Sequence, residues 1–239
     1  SDLVPTTLYS NSVLIFHPVI KLVYDIEVNP GHNKPSKESP SRNKNNNNIK
    51  LAHLIVRSLK NRGHFVQVKD TVTSLNFDVS TIFETWLDHA VSSVEIEIPG
   101  YDIYRIDSQN KRGGGVCACV RQIFKTELLN EISGISDKGF HQLWVKIQVR
   151  NLKSFLVCTT YQPPGTPTTL LDTDLGASLI SASLLNKPIY ILEDINCNLL
   201  QPELVDSHAF VNFCRTYNLN QMVTQPTRIP DSTEALLDI

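Results

Sequence analysis

Residues 188–198 read PIYILEDINCN, and this short stretch limits the fold more than any other. Ile189–Leu192 is uninterrupted apolar sequence, too short for a buried helix and typical of a strand covered on both faces. Such a strand needs packed layers on either side. It then stops abruptly at Asp194, Ile195 and Asn196. Asp and Asn are ordinary turn formers, so a polar strand exit is the plain reading. The carboxyl ends of strands are also where α/β sheets hold their ligands, which makes the pair a candidate site.

The rest of the chain supplies the layers. Ile49–Val56, Phe77–Phe83, Val116–Val120 and Phe155–Thr160 are strand-like apolar runs, and Ile96–Tyr104 is another, broken by Pro99-Gly100. Leu143–Val149 alternates, with Leu143, Val145, Ile147 and Val149 inward, as a half-buried strand pairing in a hairpin with Phe155–Thr160. Phe65, Val68, Val72 and Leu75 recur at helical spacing within Asn61–Asn76, and helices are expected over Leu170–Leu185 and from about Ser207 to Tyr217. Strands outnumber helices and several pair locally. The expectation is α/β (α+β): a two-sheet β-sandwich flanked by helices.

This domain is expected over residues 49–239, which is ample for one core. Residues 1–48 read as a non-globular leader. Within it, Ser12–Tyr24 is apolar but interrupted by His17, Pro18 and Lys21, too short for a bilayer span and without signal-peptide features. Asn33–Asn48, rich in Asn, Lys, Ser and Pro, reads as a disordered linker. The net charge of −2 gives no whole-molecule attraction to nucleic acid, though a local basic cleft is compatible with it. The five cysteines show no metal-ligand spacing, and Cys117 and Cys119 alternate on one strand face as core. This usage fits a reducing, intracellular location.

Four polar residues share one position: Glu84, Tyr161, Asp194 and Asn196 each follow an apolar strand. A carboxylate such as Glu84 is a hard oxygen ligand suited to Mg²⁺ or Mn²⁺. Asp194 is suited to taking a proton from a water nucleophile, Asn196 to holding that water or a phosphate oxygen, and Tyr161 to donating to developing charge. Taken singly, each has a bland reading as a solvated strand end or core rim. Gly113-Gly114-Gly115 reads as a tight turn and carries no phosphate-loop spacing.

Read in order, Ala52–Arg62 (AHLIVRSLKNR), Phe83–Asp88 (FETWLD), Pro99–Asp107 (PGYDIYRID), Gly113–Val120, Thr159–Pro164 (TTYQPP), Tyr190–Asn198, Gln225–Arg228 (QPTR) and Ala235–Ile239 (ALLDI) resemble the endonuclease/exonuclease/phosphatase superfamily. The resemblance is to the apurinic-type endonuclease domain of LINE-type (non-LTR) retrotransposons, and it covers essentially all of residues 49–239. It implies a two-sheet sandwich and metal-dependent hydrolysis of a DNA phosphodiester, with Glu84 as metal ligand and Tyr161 contacting the scissile phosphate. Asp194 and Asn196 would handle the water, and Asp238 would orient a catalytic histidine further along.

The departures from that pattern are specific. Ile55 stands where the family has an Asn whose amide supports the metal site. Glu193 replaces a Gly, which is expected to crowd the turn and raise the Asp194 pKa. The histidine motif expected beyond Asp238 is missing, and with it the last core strands, so a sheet edge is expected to lie open. His53, His64, His89, His141 and His208 fall outside that motif and are not taken as substitutes. Upstream, Asp25–His32 (DIEVNPGH) resembles ribosome-skipping peptides, but His32 replaces their final Pro, so a continuous chain is expected. The sequence therefore reads as a DNA-nicking domain with weak or absent catalysis. Its alternatives are a catalytically dead nucleic-acid-binding module and a phosphodiesterase for a small molecule or lipid headgroup.

Overall fold

Two five-stranded sheets lie face to face, and their facing side chains build the central core. The computed structural model describes residues 6–8, 13–15, 20–27, 48–109, 113–150, 153–163, 165–194 and 197–222. β1 (Thr6–Leu8) and β2 (Val13–Ile15) form a separate antiparallel ribbon. β3 (Ile20–Glu27), β4 (Asn48–Ile55), β5 (Val79–Phe83), β6 (Tyr101–Ile106) and β7 (Val116–Arg121) form the first sheet, in the order β3-β4-β5-β7-β6. β4 and β5 run parallel, joined through α1 (Arg62–Ser74). β8 (Lys125–Leu128), β9 (Gly134–Ile135), β10 (His141–Gln148), β11 (Phe155–Tyr161) and β12 (Ile189–Asp194) form the second, in the order β12-β11-β10-β8, with β9 also on β10. α2 (Ala177–Ser183) and α3 (Val205–Thr216) complete the elements that shape the site.

Strand alternation sorts the side chains into three cores. Leu51, Val79, Phe83, Val116, Leu143, Val145, Phe155, Val157 and Leu192 meet between the sheets. The opposite face of the first sheet, including Ala52, Leu54, Ile82, Cys117 and Cys119, packs on Phe65, Val68 and Val72 of α1. Burying each of these helix side chains stabilises by about 1.5–3 kcal/mol. Asn61 caps α1, its Oδ1 accepting from the Gly63 and His64 amides. The outer face of the second sheet packs on Leu175, Leu179, Phe210 and Phe213. The expected two-sheet sandwich with flanking helices is the architecture observed.

Three expectations need amendment. β10 is covered on both faces, because Trp144 and Gln142 are buried beneath the helical layer. The helix expected from Leu170 becomes a 3₁₀ turn at Thr168–Leu170, a π turn at Asp172–Gly176 and then the short α2. The first sheet also begins well before the expected boundary at Ile49. Ile20–Glu27 pairs antiparallel with β4, from Ile20 opposite Leu54 to Glu27 opposite Asn48. Asp25–Glu27 of the skipping-like peptide thus belong to a strand, while residues 28–32 lie outside the described residues, as do 33–47 of the expected linker. Among the described residues, no helix is long and apolar enough to cross a membrane.

Candidate active site

The site forms at one mouth of the sandwich, where β5, β11 and β12 end and the glycine run Gly113–Gly115 approaches β7. Glu84 directly follows buried Phe83, with φ of +57°. Arg57 (φ +45°), Ser58 (φ +94°) and Trp86 (φ +52°) share this left-handed region, which costs a non-glycine residue on the order of 1–3 kcal/mol. Hydrogen bonds on both sides hold the strand exit in place. Ser58 N donates to Glu84 O (2.8 Å), Leu59 N to Thr85 O (2.8 Å), and Trp86 N to Gly114 O (2.9 Å). The half-buried Glu84 carboxylate accepts through Oε2 from Trp86 Nε1.

The glycine run brings the two sheets together. Gly115 has φ of +83°, and a Cβ there would lie 2.4 Å from Thr85 Oγ1, so a larger residue is excluded. A Cβ on Gly114 would lie 3.1 Å from His141 Nε2 and 3.3 Å from Tyr161 Cε1, and one on Gly113 would lie 4.0 Å from Glu84 Oε2. Adjacent glycines therefore border Glu84 from the first sheet and Tyr161 and His141 from the second.

Tyr161 ends β11 and is buried. Its register neighbours are His141 on β10 and Asp194 on β12, so the three occupy one row across the second sheet. The His141 and Tyr161 rings meet edge to face, 5.7 Å between centroids. Of the expected site residues, Glu84 and Tyr161 are brought together, and the backbone of Asp194 joins them in register. Asn196 and Asp238 lie outside the described residues.

His141 is the site residue that sequence reasoning set aside. It is 6% exposed, and its Nδ1 has no hydrogen-bond partner. Burial pushes its pKa down to about 4, against the opposing pull of the Glu84 charge. Its signal was the hairpin register: counting back from the β10–β11 turn places residue 141 opposite Tyr161. His64 starts α1, His89 lies in an adjoining groove, and His208 sits exposed on α3.

The two departures take different forms in the fold. Ile55 ends β4, pairs with Phe83 and packs half-buried against the inter-sheet core, so an aliphatic group does border the Glu84 strand end. Glu193 does not crowd a turn. It continues β12 opposite Thr160, and its backbone stays outside the left-handed region. Strand alternation sends its buried side chain to the helix-covered face, away from the row of Tyr161. Burial pushes the Cys158 and Cys214 thiols up, the latter to about 12, and the Glu193 charge adds to both shifts. None of the five cysteines, all among the described residues, forms a disulfide.

A groove of about 850 Å³ runs from Trp86 past Asp88, His89, Arg105, Asp107 and Ile135. The Arg105 guanidinium in it is fixed to the Asp88 and Val91 carbonyls and to Asp107 (2.6 Å). Among the described residues, no group of three or more His, Cys, Asp and Glu side chains gathers as a metal cage.

No protein-family profile matches the chain, and no curated protein matches it in sequence. Solved structures do. The endonuclease domain of TRAS1, a telomere-specific non-LTR retrotransposon, superimposes with a TM-score of 0.56 at 9% identity, over 80% of this chain and 83% of that one. A mannosyl-6-phosphatase from Bacteroides thetaiotaomicron gives 0.48 at 16% identity, over 69% and 70% of the two chains. An endonuclease/exonuclease/phosphatase family protein from the same organism gives 0.48 at 16%, over 69% and 68%. The chain has the two-sheet α/β sandwich fold seen in the TRAS1 endonuclease domain.

Proposed function

We propose that this chain is a DNA-nicking phosphodiesterase domain of the retrotransposon type, working through one divalent cation and with its catalysis much weakened. The observation that carries this reading is the gathering at Gly113 and Gly114. There Glu84 from one sheet faces Tyr161 and His141 from the other, in register with the end of β12 at Asp194.

The donor set suits Mg²⁺ or Mn²⁺ rather than a softer metal. Glu84 offers a carboxylate, and Mg²⁺ is commonly held by one or two carboxylates while keeping water and substrate phosphate as its remaining ligands. Such an ion would neutralise phosphate charge and lower the pKa of its bound water. Glu84 is the residue that would hold it, kept at the strand exit by the Ser58 and Trp86 amide bonds and by the Trp86 indole. The Tyr161 hydroxyl donates to a phosphate oxygen, with its ring set by His141. His141 is neutral near pH 7 and adds no charge of its own there. Asp194 accepts the proton of the attacking water, Asn196 holds that water, and Asp238 serves to orient a histidine.

Ile55 is the reason for weakened catalysis. It borders the Glu84 strand end with a side chain that neither donates nor accepts. The same residue favours a second outcome, DNA binding without cleavage. Incubating the purified chain with supercoiled plasmid in Mg²⁺ separates the two. Slow nicking that Glu84→Ala abolishes supports hydrolysis. Salt-dependent binding without nicking supports the binding module, and turnover of a generic phosphodiester but not DNA contradicts both.

A further inference from the structure

His53 sits on β4 between Leu51 and Ile55, on the side that faces the second sheet, and is 1% exposed. An imidazole in that apolar layer is destabilising unless both of its nitrogens are paired. Both nitrogens have partners. Nδ1 lies 2.6 Å from Thr81 Oγ1, and Nε2 lies 3.1 Å from the Glu193 carbonyl oxygen, across the sandwich. A carbonyl only accepts, so Nε2 carries the hydrogen. The Thr81 hydroxyl, which also lies 3.3 Å from Ala52 O, completes the pairing at Nδ1. The ring also lies flat on Phe83, with centroids 4.6 Å apart and planes at 24°.

Phe83 immediately precedes Glu84, and Glu193 immediately precedes Asp194. One side chain therefore touches the neighbour of each acid, in two different sheets. We infer that His53 is a positioning residue, whose Nε2–H bond to the Glu193 carbonyl fixes where β12 ends relative to Glu84. Its role in chemistry rests on the phosphodiester reading above; its hold on the strand end does not. A core histidine that merely fills space would stabilise both sheets alike. A tether acts at the end of β12.

Three versions of the whole chain test this: the unaltered protein, His53→Phe and His53→Gln. Phe keeps the stacking on Phe83 without the hydrogen bond, and Gln returns a donor and an acceptor. In the unaltered chain, imidazole ¹⁵N spectra are expected to show the hydrogen on Nε2; a hydrogen on Nδ1 alone overturns the inference. Amide exchange across Leu192–Asp194 is expected to speed about tenfold in His53→Phe relative to β5 and β10, with Gln restoring most of it. Uniform acceleration of both sheets, or none, overturns it. In nicking assays His53→Phe is expected to lower kcat with little change in KM, and undiminished kcat overturns the catalytic part. If the unaltered chain neither nicks nor binds DNA while the exchange pattern holds, the phosphodiester reading fails and the tether stands.

Discussion

Ile55 and Glu84 stand at the exits of neighbouring parallel strands, and the contrast between them defines the site at the scale of single residues. Restoring an amide with Ile55→Asn is expected to raise Mg²⁺-dependent nicking by about tenfold or more, the usual scale of a lost metal-site partner. It should lower unfolding stability by about 1 kcal/mol, since a half-buried apolar contact is lost. Unchanged nicking would show that this position does not limit catalysis. His141 carries a separate prediction about pH. Burial holds its folded pKa near 4, below the ordinary 6.5, so the unfolded chain takes up the proton first as pH falls. Its stability contribution is intact above about pH 6.5 and erodes through the window down to about 4. Chemical denaturation should show the chain losing about 2 kcal/mol more between pH 7 and pH 5 than His141→Phe does. Equal losses would place His141 in a wetter setting. At this scale the placement of Glu84 and Tyr161 at strand exits was legible because each ends an apolar run. His141 and His53 were not, because their importance comes from cross-strand and cross-sheet neighbours that no local pattern displays.

The elements most legible in the sequence were those with strong periodicity. β4, α1, β5, β7, β11, β12 and α3 fall close to their expected positions, since each has a clear apolar pattern bounded by turn formers or a cap. The exceptions have physical causes. α2 starts late because the chain first winds through a π turn ending at Gly176, where a Cβ would lie 2.3 Å from Tyr217 Oη. β3 escaped notice because its apolar run is interrupted by Lys21 and Asp25 and follows His17 and Pro18. Its place comes from the open edge of β4, which it pairs along most of its length. Each ladder hydrogen bond contributes roughly 0.5–1.5 kcal/mol net. Deleting residues 1–47 is therefore expected to lower unfolding stability by about 3 kcal/mol or more and to promote association through the exposed edge of β4. Guanidinium denaturation and light scattering would check both. An unchanged midpoint would mean that β3 does not support the sheet.

For the molecule as a whole, fold and chemistry separate. The sandwich is complete enough to superimpose on 83% of the TRAS1 endonuclease domain, although the two chains share 9% identity. Two layers of helix and three apolar cores support it, and none of these depends on Ile55, Glu84 or Tyr161 being functional. The polar mouth can therefore lose activity while the scaffold persists. This is why the architecture followed directly from patterning, whereas the proposed chemistry turns on a few strand-end residues. The central claim is that Glu84 holds a divalent cation for phosphodiester hydrolysis at this mouth. Its most direct test is the conversion of supercoiled plasmid to open circles by the purified chain in Mg²⁺, compared with EDTA and with Glu84→Ala. Slow nicking that disappears in both controls is the expected result. Nicking that survives Glu84→Ala would contradict the account.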